Sequence, residues 1–234
     1  MGLAFSRASE MDKSAISVIV STYNRAEMLR LVLDWFDYLE KPIHSNIELI
    51  VVDNNSTDST RSVVRDFGAT SNVPVLYVHE ARQGLSFARN AGLSVASGDL
   101  LVFTDDDCFP SGNWLTEIER TFSAESDLMG AGGRVDLYDS RDLPLTIRTS
   151  SNRLTAGLDD LFSLVPGCNM VFRRSVFDSV GLFDVRFGAG TRLCSAEDSD
   201  FIYRVLKSDL NVEYLPHIRV FHAHGRRSQE AARV

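Results

Sequence analysis

Residues 83–107 read QGLSFARNAGLSVASGDLLVFTDDD. The first part, 86–96, has the amphipathic pattern of a helix, and an unbroken apolar run follows at 100–103. A short apolar run of this kind is typical of a strand that is buried on both faces of a sheet. Because the run ends directly in Asp105, Asp106 and Asp107, the stretch predicts a helix, a buried strand and an acidic cluster at the strand's carboxyl end.

The same alternation extends back to residue 16. Apolar runs at 16–21 (ISVIVS), 47–52 (IELIVV) and 75–78 (VLYV) predict three more strands buried on both faces. Helical spacing of apolar residues recurs at 29–39 and again at 114–122. The order β-α-β-α-β-α-β predicts an α/β fold, in which helices cover both faces of a mostly parallel central sheet.

Beyond residue 125 the pattern is less regular. The sequence predicts a strand within 128–135, a loop over 136–160, and a strand near 167–174 followed by a short helix at 175–180. A helix at about 196–207 and strands at 212–214 and 218–221 complete the expected order. We therefore expect one domain at 16–225, made of halves 16–125 and 126–225, with an N-terminal extension at 1–15 and a polar tail at 226–234.

Composition excludes several classes of protein. The 234-residue chain has a formal net charge of −8, which argues against a nucleic-acid partner because phosphate recognition needs clustered Lys and Arg. No run approaches the roughly 18 to 20 apolar residues of a spanning helix, so no transmembrane segment is expected. Cys108, Cys168 and Cys194 are odd in number and far apart, which predicts no disulfide framework and a reducing, cytoplasmic location.

Polar clusters follow three of the four early strands, and the carboxyl ends of parallel strands are where such sheets bind ligands. The clusters are 22–25 (TYNR), 53–58 (DNNSTD) and 105–107 (DDD). Asp53 is placed to accept hydrogen bonds from a nucleobase or ribose. The alternative is that it only stabilises the turn after the strand. Three adjacent carboxylates repel one another unless a cation lies among them, which favours Mg²⁺ or Mn²⁺ over the alternative of a solvated acidic turn.

Acids and histidines late in the chain offer further candidates. Glu197 and Asp198 begin the helix predicted at 196–207, where they serve either as helix caps or as a general base for an attacking hydroxyl. His222 and His224 share one face of the last strand, and His222, nearer the strand body, is the preferred candidate for a mixed carboxylate and imidazole metal site.

Five segments, taken in order, resemble glycosyltransferase family 2. They are 18–25 (VIVSTYNR), 50–58 (IVVDNNSTD), 83–107, 167–184 (GCNMVFRRSVFDSVGLFD) and 196–204 (AEDSDFIYR), the last followed by VFHAHG at 220–225. The resemblance covers about 16–225 and implies a Rossmann-like GT-A fold, with a nucleotide-binding half at 16–125 and an irregular acceptor and catalytic half at 126–225. It departs from the family's pattern at Asn54 and Asn55, where many members carry a second acid.

The resemblance also implies roles for individual residues. A nucleotide diphosphate donor, most simply UDP, is expected to bind at a set that comprises Thr22, Tyr23, Asn24, Arg25, Asp53, Arg89, Asn90, Asp105 and Asp106. Asp107 and His222 are expected to hold Mn²⁺ or Mg²⁺, and Asp198 to act as the catalytic base supported by Glu197. Gly167, Asn169 and Met170 are expected to border the donor sugar and the acceptor.

These roles imply an inverting, metal-dependent hexosyltransferase of polysaccharide or glycoconjugate biosynthesis, acting on a carbohydrate or glycolipid acceptor. A glycolipid acceptor would add a peripheral contact with a membrane. One alternative is a nucleotidyltransferase, although 22–25 has no Gly-rich phosphate loop. The other is a non-catalytic domain that binds nucleotide or sugar. Loss of Asp198 or of the acidic cluster would favour this alternative, but the sequence retains both.

Overall fold

A computed structural model describes residues 15–160 and 164–227. The described strands are β1 (Ala15–Thr22), β2 (Asn46–Asp53), β3 (Val75–His79), β4 (Leu100–Asp105), β5 (Cys108–Pro110), β6 (Gly130–Leu137), β7 (Leu154–Thr155), β8 (Asn169–Arg173) and β9 (Val212–His222). The described helices are α1 (Ala26–Asp37), α2 (Thr60–Gly68), α3 (Leu85–Val95), α4 (Trp114–Ala124), α5 (Arg174–Val180) and α6 (Glu197–Lys207). The predicted terminal segments 1–15 and 226–234 lie almost wholly outside the described residues.

One sheet contains all the described strands, in the order β3-β2-β1-β4-β8-β6-β9-β5, with β7 paired to β9. Strands β3, β2, β1 and β4 are mutually parallel, whereas β8 runs antiparallel to both β4 and β6. Side chains alternate along β1, so Val18 packs into the core formed with α1, α2 and α4, and Ile19 into the core formed with α3, α5 and α6. The predicted α/β fold with helices on both faces is confirmed.

Strand β3 differs from the prediction that it is buried on both faces. It lies at one edge of the sheet, and it pairs only with β2 among the described strands. Its residues are half-buried or exposed, and Leu76 keeps 41% of its surface accessible. The apolar run VLYV is too short to distinguish an edge strand from a central one, because both carry β-branched and aromatic residues.

The second half of the chain adds long-range pairing that the sequence pattern did not indicate. The strands predicted at 212–214 and 218–221 form the single strand β9, which pairs with β6 through a register shift between Gly133 and Arg134. The predicted loop at 136–160 contains the end of β6, strand β7, a single 3-10 turn at Leu158–Asp160 and a bridge between Val135 and Arg148. No helix in the described part of the chain is long and apolar enough to cross a membrane.

Candidate active site

The polar clusters that follow β1, β2 and β4 meet at one edge of the sheet. Parallel pairing places Thr22 opposite Asp53 and Ser21 opposite Asp105, so the loops after these strands emerge side by side. This is the edge at which open α/β sheets bind ligands. The sheet register therefore brings 22–25 against 105–107, two clusters that lie more than 80 residues apart in the chain.

Arg25 is the main link between these clusters. One guanidinium nitrogen, Nη1, donates to Asp106 Oδ1 at 2.8 Å and to Asp107 Oδ2 at 2.9 Å. The Thr22 hydroxyl donates to the other oxygen of Asp106 at 2.7 Å. Asp106 and Asp107 are both buried, and charge-assisted hydrogen bonds of this kind hold their carboxylates in fixed orientations.

His222 reaches the acidic cluster through strand β5, which no pattern in the sequence predicts. Strand β5 follows the acids directly and pairs antiparallel with β9, placing Cys108 opposite His222. His222 Nε2 lies 3.2 Å from Asp107 Oδ1. His224 contacts a different group, because its Nε2 lies 3.0 Å from the backbone oxygen of Leu143. The structure thus places His222 rather than His224 against the acidic cluster.

The second nitrogen of His222 is held by Thr146. His222 Nδ1 lies 3.0 Å from Thr146 Oγ1, and this hydroxyl donates to the Leu145 carbonyl at 2.7 Å. With its proton donated to Leu145, the Thr146 hydroxyl accepts from His222 in the tautomer that carries the ring proton on Nδ1. A partner on one ring nitrogen fixes the ring orientation and directs the other nitrogen to a ligand, as in metal-binding histidines. Thr146 lies in the irregular segment after β6, where no sequence motif singled it out.

The three aspartates have different pKa values. Burial raises the pKa of Asp105 to about 6 against the opposing charge of Arg89. Burial likewise raises the pKa of Asp106 to about 7, although Arg25 and Thr22 favour its ionised form. For Asp107 burial has the same effect, but the hydrogen bond and charge of His222 outweigh it and, with Arg25, lower the pKa to about 2. The cluster is therefore dense in carboxylates that a further cation would stabilise.

The donor groups around Asp107 fit a hard divalent cation. One ligand atom each from Asp107, Cys108 and His222 lie within 4.8 Å of one another. A hydrogen bond with Cys168, together with burial, raises the pKa of Cys108 well above its usual value, and hard divalent cations prefer oxygen ligands to sulfur. The remaining carboxylate and imidazole, with Asp105 and Asp106 adjacent, match the oxygen-rich sets that bind Mg²⁺ and Mn²⁺.

The opposite wall of the site is built by α3 and the start of α6. Arg89 of α3 is buried and donates to Glu197 Oε1 at 3.0 Å and to the Gly167 carbonyl at 3.1 Å. Asp198 follows Glu197, and its Oδ1 accepts from the Ser199 amide at 2.7 Å. Asp198 Oδ2 accepts no hydrogen bond from any described residue, so one carboxylate oxygen is available to a ligand.

Two adjoining cavities occupy this edge of the sheet, and both are lined by Leu85, Asp105 and His222. We name the two cavities after the roles expected from the sequence for Tyr23 in the first and Asp198 in the second. The first, the nucleotide-side cavity, has a volume of about 480 Å³, and its lining includes Thr22, Tyr23, Arg25, Asn54, Gln83, Asp106, Asp107, Ala189 and Gly190. The second, the base-side cavity, has a volume of about 400 Å³, and its lining includes Arg89, Thr146, Ile147, Arg148, Gly167, Cys168, Glu197 and Asp198.

Five of the residues singled out in the sequence do not line either cavity. Asn24 holds the 53–58 loop by accepting from the Thr57 amide, and Asp53 accepts from the Ser56 amide and the Tyr77 hydroxyl. The Asn90 side chain donates to the Phe183 carbonyl and accepts from the Phe183 amide. The Asn169 side chain bonds two backbone carbonyls and Trp114, and Met170 is fully buried in the core; both lie on β8.

Other lining residues were not predicted from the sequence, of which Ser21, Asn54, Gln83, Thr146 and Arg148 are polar. Asn54 was noticed only as a departure from the family's acidic pattern. Its amide donates to the backbone carbonyls of Glu80 and Arg82 and accepts from the Gly84 amide at 2.8 Å, so it ties β2 to the turn before α3. Thr146 and Arg148 lie in a stretch without periodicity, which offers no signal for them.

A family model described as "Glycosyl transferase family 2" matches residues 17–181. Among solved structures, the chain is similar to a mannosyltransferase, PcManGT from Pyrobaculum calidifontis in complex with GDP-Man and Mn²⁺, with a TM-score of 0.71 at 23% identity over 95% of this chain and 61% of that one. It is also similar to S. aureus TarS 1-349 in complex with UDP-GlcNAc, with a TM-score of 0.73 at 20% identity over 94% of this chain and 61% of the other. The fold is the GT-A fold of these proteins.

Curated relatives agree with this match. The chain is 31% identical over 178 residues to the glycosyltransferase AglE of Haloferax volcanii, a span of 72% of this chain and 55% of that protein. It is 31% identical over 191 residues to the succinoglycan biosynthesis protein ExoM of Rhizobium meliloti, a span of 80% of this chain and 59% of the relative. The chain thus spans between half and three fifths of the length of these curated relatives.

Proposed function

The chain belongs to glycosyl transferase family 2, and on this basis we propose that it transfers a sugar from a nucleotide diphosphate sugar to an acceptor hydroxyl. The observation that carries the proposal is the composition of the base-side cavity. Asp105 of the acidic cluster and the neighbouring His222 line the same cavity as Asp198, whose Oδ2 has no protein partner among the described residues. A leaving diphosphate and an attacking hydroxyl therefore have complementary groups in one cavity.

The nucleotide-side cavity is the proposed site of the donor nucleotide. Tyr23 is 47% exposed and lines this cavity together with Thr22 and Arg25, while Asn24 and Asp53 shape the loop beside it. We assign Asn90 a supporting role, because its amide holds the backbone of Phe183 rather than the cavity. UDP is the proposed nucleotide, in keeping with the UDP-GlcNAc complex of TarS, and GDP is the second candidate because PcManGT binds GDP-Man.

The acidic cluster is the proposed metal site. Asp107 and His222 would hold Mn²⁺ or Mg²⁺, and the ion would supply Lewis-acid stabilisation of the charge that grows on the leaving diphosphate. Thr146 orients the His222 ring for this role, and Arg25 orients Asp106 and Asp107. Mn²⁺ is present in the complex of PcManGT, which supports the choice of ion.

Asp198 is the proposed general base. Its free Oδ2 would accept the proton of the acceptor hydroxyl as that oxygen attacks the anomeric carbon. Attack on the face opposite the leaving diphosphate inverts the anomeric configuration in one displacement, and no covalent enzyme intermediate forms. Gly167 borders this space, because a Cβ at its position would lie 2.7 Å from Asp198 Oδ2. Asn169 and Met170 support the same wall from the buried strand β8.

The test is calorimetric titration with UDP, thymidine diphosphate and GDP, each with Mn²⁺ and again with the metal chelated. Metal-dependent binding of one nucleotide is the expected result, and the matching nucleotide sugars are then assayed with carbohydrate and glycolipid acceptors. We expect nucleoside diphosphate to be released in an amount equal to the sugar transferred. We also expect NMR of the product to show an inverted anomeric configuration. Absence of nucleotide binding under every condition, or transfer with retained configuration, would contradict the proposal.

A further inference from the structure

Arg148 is a cationic residue in the wall of the base-side cavity, and its position is rigidly supported. The Arg148 amide donates to the Val135 carbonyl at 2.9 Å, and the Val135 amide donates back to Arg148 at the same distance. This pair of hydrogen bonds joins the irregular segment after β6 to the edge of β6 itself. The backbone of Arg148 is therefore held to the sheet although it lies in no named strand.

Tyr214 supports the same residue from the core. Its ring is fully buried, and the Arg148 guanidinium carbon lies 5.3 Å from the ring centroid. The Tyr214 hydroxyl lies within hydrogen-bond distance of two backbone carbonyls of this segment, 2.9 Å from that of Ser150 and 3.2 Å from that of Arg148. A guanidinium stacked on an aromatic ring loses little further freedom when its N–H groups bind an anion.

The charge of Arg148 has no partner among the described residues. Its guanidinium makes no ion pair there, and its Nε is buried without a hydrogen-bond acceptor. The two other arginines of these cavities are both paired: Arg25 with Asp106 and Asp107, and Arg89 with Glu197. A buried N–H without an acceptor is costly, and no described residue supplies an anion to this guanidinium, so an anionic ligand in the cavity would provide the missing charge.

We propose that Arg148 is the cationic part of a subsite that binds an anionic group, a phosphate or a carboxylate, carried by the sugar acceptor. The inference rests on the proposed function, because it assigns the base-side cavity to the acceptor. Arg148 lines the cavity that contains Asp198 and does not line the nucleotide-side cavity with Tyr23 and Arg25. An acceptor anchored at Arg148 would have its hydroxyl within the space that Asp198 also lines.

The same chemistry has a second source, since the diphosphate of the donor is also an anion. The two sources make different demands on a variant that lacks the charge. If the anion belongs to the acceptor, Arg148→Gln weakens binding of a free phosphate or carboxylate and leaves nucleotide affinity unchanged. If it belongs to the donor, the substitution weakens nucleoside diphosphate binding.

The experiment is an NMR titration of the wild-type chain, Arg148→Gln, Arg148→Lys and a matched control. The control is Arg61→Gln, because the Arg61 guanidinium also lies over a tyrosine ring, 5.7 Å from the centroid of Tyr77, but lines neither cavity. Inorganic phosphate and glucuronate are the probes, and the side-chain Nε–H resonance of Arg148 is followed directly. Calorimetry with UDP and GDP in the presence of Mn²⁺ provides the donor arm.

We expect both probes to shift the Arg148 Nε–H resonance in the wild type. Arg148→Gln should weaken phosphate binding about tenfold or more, because it removes charge-assisted hydrogen bonds. Arg148→Lys should retain part of the affinity, Arg61→Gln should match the wild type, and nucleotide affinity should stay within about twofold in every variant.

Equal phosphate affinity in Arg148→Gln and the wild type would overturn the proposal, and so would a loss of UDP or GDP affinity in that variant comparable with the loss for phosphate. A wild-type chain that binds neither nucleotide would contradict the proposed function instead. In that case the phosphate titration still decides whether Arg148 binds anions, so the two failures are distinguishable.

Discussion

Arg89 and Glu197 form a buried ion pair, with 3.0 Å between Nη1 and Oε1, although 108 positions separate them in the chain. The pair joins α3, which follows the first three strands, to α6, which carries Asp198. Arg89 also holds the carbonyl of Gly167. The wall that contains the proposed base is therefore fixed by one arginine from the first half of the chain.

Replacement of Arg89 by Met should destabilise the chain strongly. It leaves Glu197, whose side chain is 9% exposed, without its partner, and breaking a buried pair in this way costs about 3–5 kcal/mol. The measurement is urea unfolding followed by circular dichroism. Arg65→Met is the control, because the Arg65–Asp66 pair is exposed and should contribute less than about 1 kcal/mol. Equal effects of the two substitutions would show that the buried pair is solvated.

Gly167→Ala should slow transfer without preventing folding. The new Cβ would lie 2.7 Å from Asp198 Oδ2 and 3.1 Å from Arg89 Nη2, so the carboxylate must move. A misplacement of about 1 Å at a reacting group can cost about 100-fold in rate. Gly112→Ala is the matched control, because a Cβ at that position meets nothing within 4 Å. Steady-state rates that are the same for both variants would contradict the placement of Asp198.

Asp198→Asn should reduce transfer by about 10²–10⁴-fold, the usual contribution of a general base. The amide keeps the shape of the side chain but cannot accept the acceptor proton, and nucleotide affinity should stay within about twofold. Asp200→Asn on the same helix turn is the control, since Asp200 pairs with Arg204 outside both cavities. Assays under saturating donor decide the matter, and full activity of Asp198→Asn would remove this residue from its role.

Thr146→Val should weaken binding of Mn²⁺ by about 10–100-fold, the usual effect of losing a partner that orients a metal-binding histidine. Valine keeps the branched shape but cannot accept from His222 Nδ1–H. Electron paramagnetic resonance of free Mn²⁺ measures this directly, without an activity assay. Thr155→Val, an exposed threonine on β7, serves as the control. Unchanged Mn²⁺ affinity in Thr146→Val would mean that Thr146 does not orient His222 for binding the ion.

Asp107→Ala should weaken the metal-dependent part of nucleotide binding by at least about tenfold. The neighbouring substitution Cys108→Ala should leave nucleotide binding within about twofold, because hard divalent cations prefer oxygen ligands to a thiol. Titration calorimetry with and without a chelator measures both. A metal dependence that survives in Asp107→Ala would move the ligand assignment to another carboxylate of the cluster.

Much of the fold was predictable from local pattern. Strands β1, β2 and β4 are marked by apolar runs, and the helices between them by apolar residues at helical spacing. Parallel connectivity then placed 22–25 and 105–107 at one edge of the sheet. Strand β5 and the edge position of β3 were not predictable, since both depend on which strands become neighbours.

The sequence by itself determined the α/β class. It also determined two candidate sites of chemistry, the acidic cluster at the end of β4 and the start of α6, because each of these features is encoded over a few residues. Only the tertiary structure decided that His222 faces Asp107 and that Thr146 holds its ring from 76 positions away. It also decided that Arg148, which has no ion-pair partner among the described residues, lines the same cavity as Asp198. These relationships arise from the pairing of β9 with β5 and β6. Sheet order is set by the summed packing of segments that are distant in the chain. Hydrophobic periodicity along the chain gives no information about which of these segments become neighbours.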